Sequence, residues 1–162
     1  MTSIELTKLI NQQMNREFYS AYLYLKFASA LEQLKLPGSA HWMEKQAKEE
    51  VLHGLQFYRF LVQQEAEVIL EPINAPEEIP EDCVIKIFAA ALRHEKYITR
   101  QLNDLTALAA GEHNFCALSF LSKMLDQQVA DEFSVHTISE RLILSDNKRG
   151  ALLFIDSELA KR

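Results

Sequence analysis

Four stretches of the chain repeat apolar residues in steps of three and four, the spacing that keeps one face of an α-helix in register. The first stripe is Ile10, Met14, Glu17, Ala21, Tyr24, Ala28 and Leu31, and the second Met43, Gln46, Glu50, His53, Phe57 and Phe60. The third reads Val84, Phe88, Ala91, Glu95, Ile98, Leu102 and Leu105. The fourth reads Leu118, Leu121, Leu125, Gln128, Asp131, Val135, Ile138 and Leu142. Each stripe is apolar except near its middle, where a carboxylate, an amide or an imidazole replaces a hydrophobe. The pattern predicts helices over about 3–34, 39–66, 82–110 and 114–144, with Ser3 and Ser39 as caps of the first two. Breaks fall at Lys35-Leu36-Pro37-Gly38 and at Gly111, both suited to ending a helix.

The connections order these helices. A short link makes the first and second antiparallel neighbours, and the third and fourth likewise. Residues 68–82 hold Pro72, Pro76 and Pro80, three of the chain's four prolines, and no helical stripe. Extended, about 15 residues at roughly 3.1 Å each span about 45 Å. A helix of about 28 residues is about 42 Å long. The linker can therefore run the height of the bundle and start the third helix at the opposite end. The expected fold class is all-α: an antiparallel four-helix bundle over about 3–144 with one long crossover between the second and third helices. After the polar break Ser145-Asp146-Asn147-Lys148-Arg149-Gly150, the run Ala151 to Leu159 predicts a short fifth helix over about 148–160. That helix is too apolar to stand in water; it packs on its own subunit or serves as an assembly element. The whole of 1–162 reads as one domain.

Packed side by side, the stripes bring Glu17, Glu50, His53, Glu95, Gln128 and Asp131 into one layer at mid-height. Glu50 and His53, at i and i+3, stand one above the other on the same face. Unpaired carboxylates taken out of water are costly, so the layer implies a compensating cation. Facing carboxylates with one imidazole describe a dinuclear metal site inside a bundle. The donors are hard oxygens with a single imidazole, too few nitrogen or sulfur ligands for a usual structural zinc site. Glu17 or Glu95 alone would read as a solvated or salt-bridged residue; the argument lies in four stripes breaking at one height. His41, His94, His113 and His136 lack a partner in register and read as surface or supporting residues. Lys45, Lys48 and Glu49 face away from the stripe, toward solvent.

The formal charge of −6 argues against nucleic acid and anionic membrane as partners and weakly favours cations. Nearly half the residues are apolar, with four glycines and four prolines, which excludes a disordered chain. Cys83 and Cys116 fall in no CxxC or CxxH spacing, so two reduced thiols in a cytoplasmic protein are expected. The start, Met1-Thr2-Ser3-Ile4-Glu5, has no basic region and no apolar run, so neither a signal peptide nor a membrane span is expected.

Several motifs follow one another along the chain: Asn15-Arg16-Glu17-Phe18-Tyr19-Ser20-Ala21-Tyr22-Leu23-Tyr24-Leu25, Glu49-Glu50-Val51-Leu52-His53, His94-Glu95, Gln127-Gln128 and Leu153-Phe154-Ile155-Asp156-Ser157-Glu158-Leu159. In this order and spacing the chain resembles the non-haem bacterial and archaeal ferritins along essentially its whole length. The resemblance implies oxidation of Fe(II) by O2 or H2O2 at a diiron ferroxidase centre, and storage of ferric mineral in a hollow homo-oligomeric shell of twenty-four subunits. Carried over residue by residue, Glu17, Glu50 and His53 bind the first iron, with Glu50 bridging. Glu50 and Glu95 hold the second, with Gln128 and Asp131 nearby, and Tyr24 stands beside the centre.

Two irons per subunit and no haem are expected. A haem-binding bacterioferritin would have Met after Glu50, where Val51 stands, and a second E-x-x-H where the fourth helix offers Gln128-x-x-Asp131. The missing E-x-x-H, together with the absence of a CxxC module, also weighs against the other alternative, a rubrerythrin-like oxidase or peroxidase. Many prokaryotic ferritins have a third iron position made by acids on the second and fourth helices. Here Glu49 is present, but Gln127 and Ala130 stand where acids are usual, and Asp131 is one methylene shorter than the usual Glu. A third position is expected to be weak or empty.

Overall fold

The structure, a computed structural model, describes residues 2–79 and 82–162. Pro80, one of the three crossover prolines, lies outside the described residues, as do Met1 and Glu81. The helices are α1 (Ile4–Gln33), α2 (Pro37–Gln63), α3 (Val84–Gly111), α4 (Phe115–Leu144) and α5 (Arg149–Leu159), and no strand occurs among the described residues. α1 packs on α2 and on α3, and α3 on α4, which closes the expected four-helix bundle. Ser3 caps α1 by accepting from Leu6 N at 3.0 Å, and Asn114 caps α4 by accepting from Ala117 N at 3.1 Å.

α2 is capped differently from the sequence-based expectation. It starts at Pro37, whose missing N–H is harmless in a first turn, and Leu36 at the N-cap contributes no side-chain bond. Ser39 does not cap the helix from its own position. The cap is Asp156 of α5, whose carboxylate accepts from Gly38 N (3.1 Å), Ser39 N (2.7 Å) and Ser39 Oγ (2.7 Å). It satisfies free N–H groups and faces the positive end of the helix dipole. Gly38 is accordingly not the turn residue, because Lys35 takes the left-handed conformation (φ 62°). Gly38 is where α5 comes close: a Cβ there would lie 1.9 Å from the Asp156 carbonyl oxygen. Likewise Gly111 is the last residue of α3, and His113 adopts the left-handed turn (φ 53°).

The crossover climbs along α1, held by side chains at successive turns. Asn11 bonds Glu67 O (2.9 Å) and Ile69 N (2.7 Å), and Asn15 bonds Ile69 O (2.8 Å) and Glu71 N (3.0 Å). Higher up, Tyr19 Oη accepts from Glu77 N at 3.2 Å and Lys26 Nζ donates to Glu77 O at 3.1 Å. α5 packs on its own chain, against α2 and α4, with Ile155 and Leu159 buried. Leu153 and Phe154 on its other side are 51% and 63% exposed.

The core falls into two parts. One gathers Tyr24, Phe27, Met43, Phe88, Val135 and Leu142; the other gathers Ile10, Met14, Phe57, Phe60, Ile98 and Leu121. Along every stripe the polar residue lies between them. The apolar clusters above and below exclude water from that layer, and so set the electrostatics of what it holds.

Candidate metal centre

Glu17, Glu50, Glu95 and Gln128 are each 2% exposed or less, and His53 is 7% exposed. The ligand atoms of Glu17, Glu50 and His53 all lie within 4.8 Å of one another. His53 Nδ1 is 3.5 Å from Glu50 Oε2, one helical turn away. Each acid is braced by an amide one turn earlier: Gln13 Nε2 donates to Glu17 Oε1 at 2.7 Å, and Gln46 Nε2 to Glu50 Oε1 at 2.8 Å. An arginine orients each amide in turn, Arg16 donating to Gln13 Oε1 (3.3 Å) and Arg162 to Gln46 Oε1 (3.0 Å). On the facing pair, Glu95 accepts from the Tyr24 hydroxyl on Oε1 and from Gln128 Nε2 at 2.5 Å on Oε2. Glu17 Oε2 is buried with no hydrogen-bond partner. An orphaned acceptor aimed into a cluster of acids is what a cation would satisfy.

Without a cation the layer resists ionisation. Burial and then the charge of Glu50 push the Glu17 carboxyl well above the usual range. The same causes lift Glu95 to about 8, against the pull of the Tyr24 and Gln128 hydrogen bonds. Asp131 rises to about 6, through burial and Glu50, partly offset by His53. For His53, burial opposes the proton, but the hydrogen bond to Glu50 and the charges of Glu50, Glu17 and Asp131 prevail and raise it to about 9. Tyr24 is held protonated by burial and by Glu95. Burial is the first cause for the three acids and for Tyr24, and the negative charge crowded into the layer adds to it. A divalent ion bound by these oxygens would displace the protons.

A family model described as a ferritin-like domain matches residues 7–144. The bacterial non-heme ferritin of Staphylococcus epidermidis is 30% identical over 162 residues, spanning 100% of this chain and 97% of the relative. That of Staphylococcus aureus is 29% identical with the same coverage. The open pore ferritin from the hyperthermophilic archaeon Archaeoglobus fulgidus is 33% identical, with a TM-score of 0.95 over 100% of this chain and 99% of that one. The chain belongs to the ferritin family.

Within this ferritin the structure brings Glu17, Glu50 and His53 together, and sets Glu95, Gln128 and Tyr24 as a hydrogen-bonded group facing them. Asp131 lies at the margin, half-buried and outside the tight group, although its charge is felt by His53 and Glu95. Glu49 is not simply solvated: it lines a cavity beside His53 and pairs with Arg162. His94 is paired as well, its Nε2 2.7 Å from Ser20 Oγ, and burial lowers its proton affinity. Sequence reasoning missed the bracing role of Gln13, Gln46 and the two arginines. A Gln-x-x-x-Glu step precedes both acids and was a usable local signal; nothing local pointed to Arg162.

Proposed function

We propose that this protein is an iron-storage ferritin that oxidises Fe(II) to Fe(III) with O2 or H2O2 at a centre formed by Glu17, Glu50, His53, Glu95, Gln128 and Asp131. The ferric product is stored inside a homo-oligomeric shell of twenty-four copies of the 18.6 kDa chain, in the cytoplasm, with no haem. One observation carries the reading: a water-excluded layer gathers facing carboxylates around a single imidazole, and Glu17 keeps a buried carboxylate oxygen with no hydrogen-bond partner.

The donor set suits iron. Glu17, Glu50, Glu95 and Asp131 offer four negative charges when ionised, the number that offsets two Fe(II) ions. His53 and Glu17 serve the first ion, Glu50 bridges, and Glu95 serves the second. Oxygen ligands favour the ferric state, which supplies the driving force. Each Fe(II) gives up one electron; O2 takes two electrons and two protons to leave as H2O2, and H2O2 takes two electrons and two protons to leave as water. Two metals held on one bridge deliver both electrons together. The chain's own part is positioning. Gln13 and Gln46 fix the acids on α1 and α2, while Tyr24 and Gln128 hold Glu95 in place.

An anaerobic Fe(II) titration followed by O2, read at visible wavelengths, tests the centre. About two saturable equivalents per subunit and rapid colour on oxygenation are expected. No saturable binding would overturn the assignment. Size-exclusion mass tests storage separately, because a shell elutes at hundreds of kilodaltons and a monomeric or dimeric oxidase does not.

A further inference from the structure

A cavity of about 330 Å3 opens beside the centre between α2 and α4, with Glu49, His53, Gln127, Ala130 and Asp131 in its wall. Two carboxylates thus face a space adjoining the imidazole of the cluster. Besides His53, which acts on Asp131, a cation reaches them from far along the chain. Arg162 lies over the Trp42 ring, 4.4 Å from guanidinium carbon to centroid. Its Nη2 is 2.5 Å from Glu49 Oε2 and donates to Gln46 Oε1 at 3.0 Å, while Nη1 reaches the Trp42 carbonyl at 3.5 Å. Its charge also reaches Asp131.

An exposed ion pair alone contributes little. Here a planar guanidinium is stacked on an aromatic face and directed at once to a carboxylate and an amide, a fork geometry that lysine cannot reproduce. Because Arg162 occupies Gln46 Oε1, the amide presents Nε2 to Glu50. The relay Arg162–Gln46–Glu50 on α2 repeats Arg16–Gln13–Glu17 on α1, but its arginine belongs to the segment after α5.

We propose that Arg162 is a tethered cation standing in for a third metal ion: by pairing with Glu49 at the cavity wall it withholds that carboxylate from a metal ion there and, through Gln46, positions Glu50. The proposal rests on reading the centre as a metal site. Gln127 and Ala130 act in the same direction, since one supplies a neutral amide and the other no ligand. Arg162 is a positioning and specificity residue that touches neither iron nor oxidant.

The test uses the full-length assembled protein and its Arg162→Gln and Arg162→Lys variants. Each is titrated anaerobically with Fe(II) and, as a redox-inert probe, with Zn(II). The fluorescence of Trp42, the chain's only tryptophan, is followed throughout. Wild type should take two ions per subunit. Arg162→Gln should gain a third, bound about tenfold or more tighter than any third ion in wild type, because a neighbouring positive charge has been removed. Its Trp42 emission should shift before any metal is added. Arg162→Lys should restore two ions through its charge while leaving Trp42 emission shifted, and Glu49→Gln combined with Arg162→Gln should also return to two. Two equally tight ions in both wild type and Arg162→Gln would overturn the proposal and leave the centre standing. No saturable binding by the wild type would overturn both.

Discussion

Raising the pH on the metal-free protein should destabilise it, and Glu95 is where the effect is most readily measured. Burial and the charge of Glu50 lift its carboxyl from the ordinary 4.5 to about 8. An acid raised in this way favours the fold while it keeps its proton. Its contribution is complete below pH 4.5 and is lost as pH rises through 8. At about 1.4 kcal/mol per pH unit, Glu95 forfeits about 2 kcal/mol between pH 6.5 and pH 8.5. Glu17 and Asp131, both raised, act with the same sign. So does His53, whose contribution is present below 6.5 and is lost as pH rises through about 9. His94 acts oppositely, because burial lowers it, but it costs stability only on protonation below its ordinary 6.5 and so drops out of the window. Glu95→Gln removes the ionisation and keeps the shape. Tyr24 still donates to Oε1, and a half-turn of the Gln128 amide restores its pairing with the new amide while giving up its longer bond, 3.3 Å, to the residue-95 carbonyl, a loss that does not vary with pH. After chelation, denaturant midpoints are compared at pH 6.5 and 8.5. Wild type should lose stability across the window, and Glu95→Gln should lose about 2 kcal/mol less. Saturating Zn(II) should stabilise wild type more at the higher pH, since binding displaces protons. A metal-free wild type equally stable at both values, or an unaltered loss in Glu95→Gln, would refute the electrostatic argument.

His53→Ala and Glu17→Ala should each bind one ion fewer and oxidise iron at least about tenfold more slowly, since even outer residues of a metal site are worth that much; wild-type rates in both would show that the centre is misassigned. Tyr24→Phe removes a hydrogen bond that favours ionised Glu95, so Fe(II) binding near neutral pH should weaken while the stoichiometry stays at two, as read by anaerobic calorimetry. Asp156→Ala leaves the first N–H groups of α2 without their cap and should cost about 1–3 kcal/mol. A thermal scan showing no loss would mean that water caps α2 equally well.

Much of this molecule was legible in its sequence because helix burial is periodic and local. Every residue of the first three stripes is buried as the spacing requires, and the acid, amide or imidazole in each falls in the polar layer. The crossover followed from length alone, since a linker that spans a helix must change ends. Periodicity identifies the inward face of a helix, but it does not say how far a side chain reaches or what meets it. Asp131 shares its stripe with Gln128, yet it sits at the margin, half-buried, while Gln128 reaches Glu95. Gln13 lies off the stripe and is nevertheless fully buried, because it folds along α1 onto Glu17. The tertiary structure alone decided the long-range contacts. Asp156 caps a helix whose first residues lie 117 and 118 positions earlier, and Arg162 reaches an acid 113 positions earlier. Neither pairing leaves a local trace, because each depends on where α5 docks, and α5 docks where Gly38 leaves room for its backbone to approach α2.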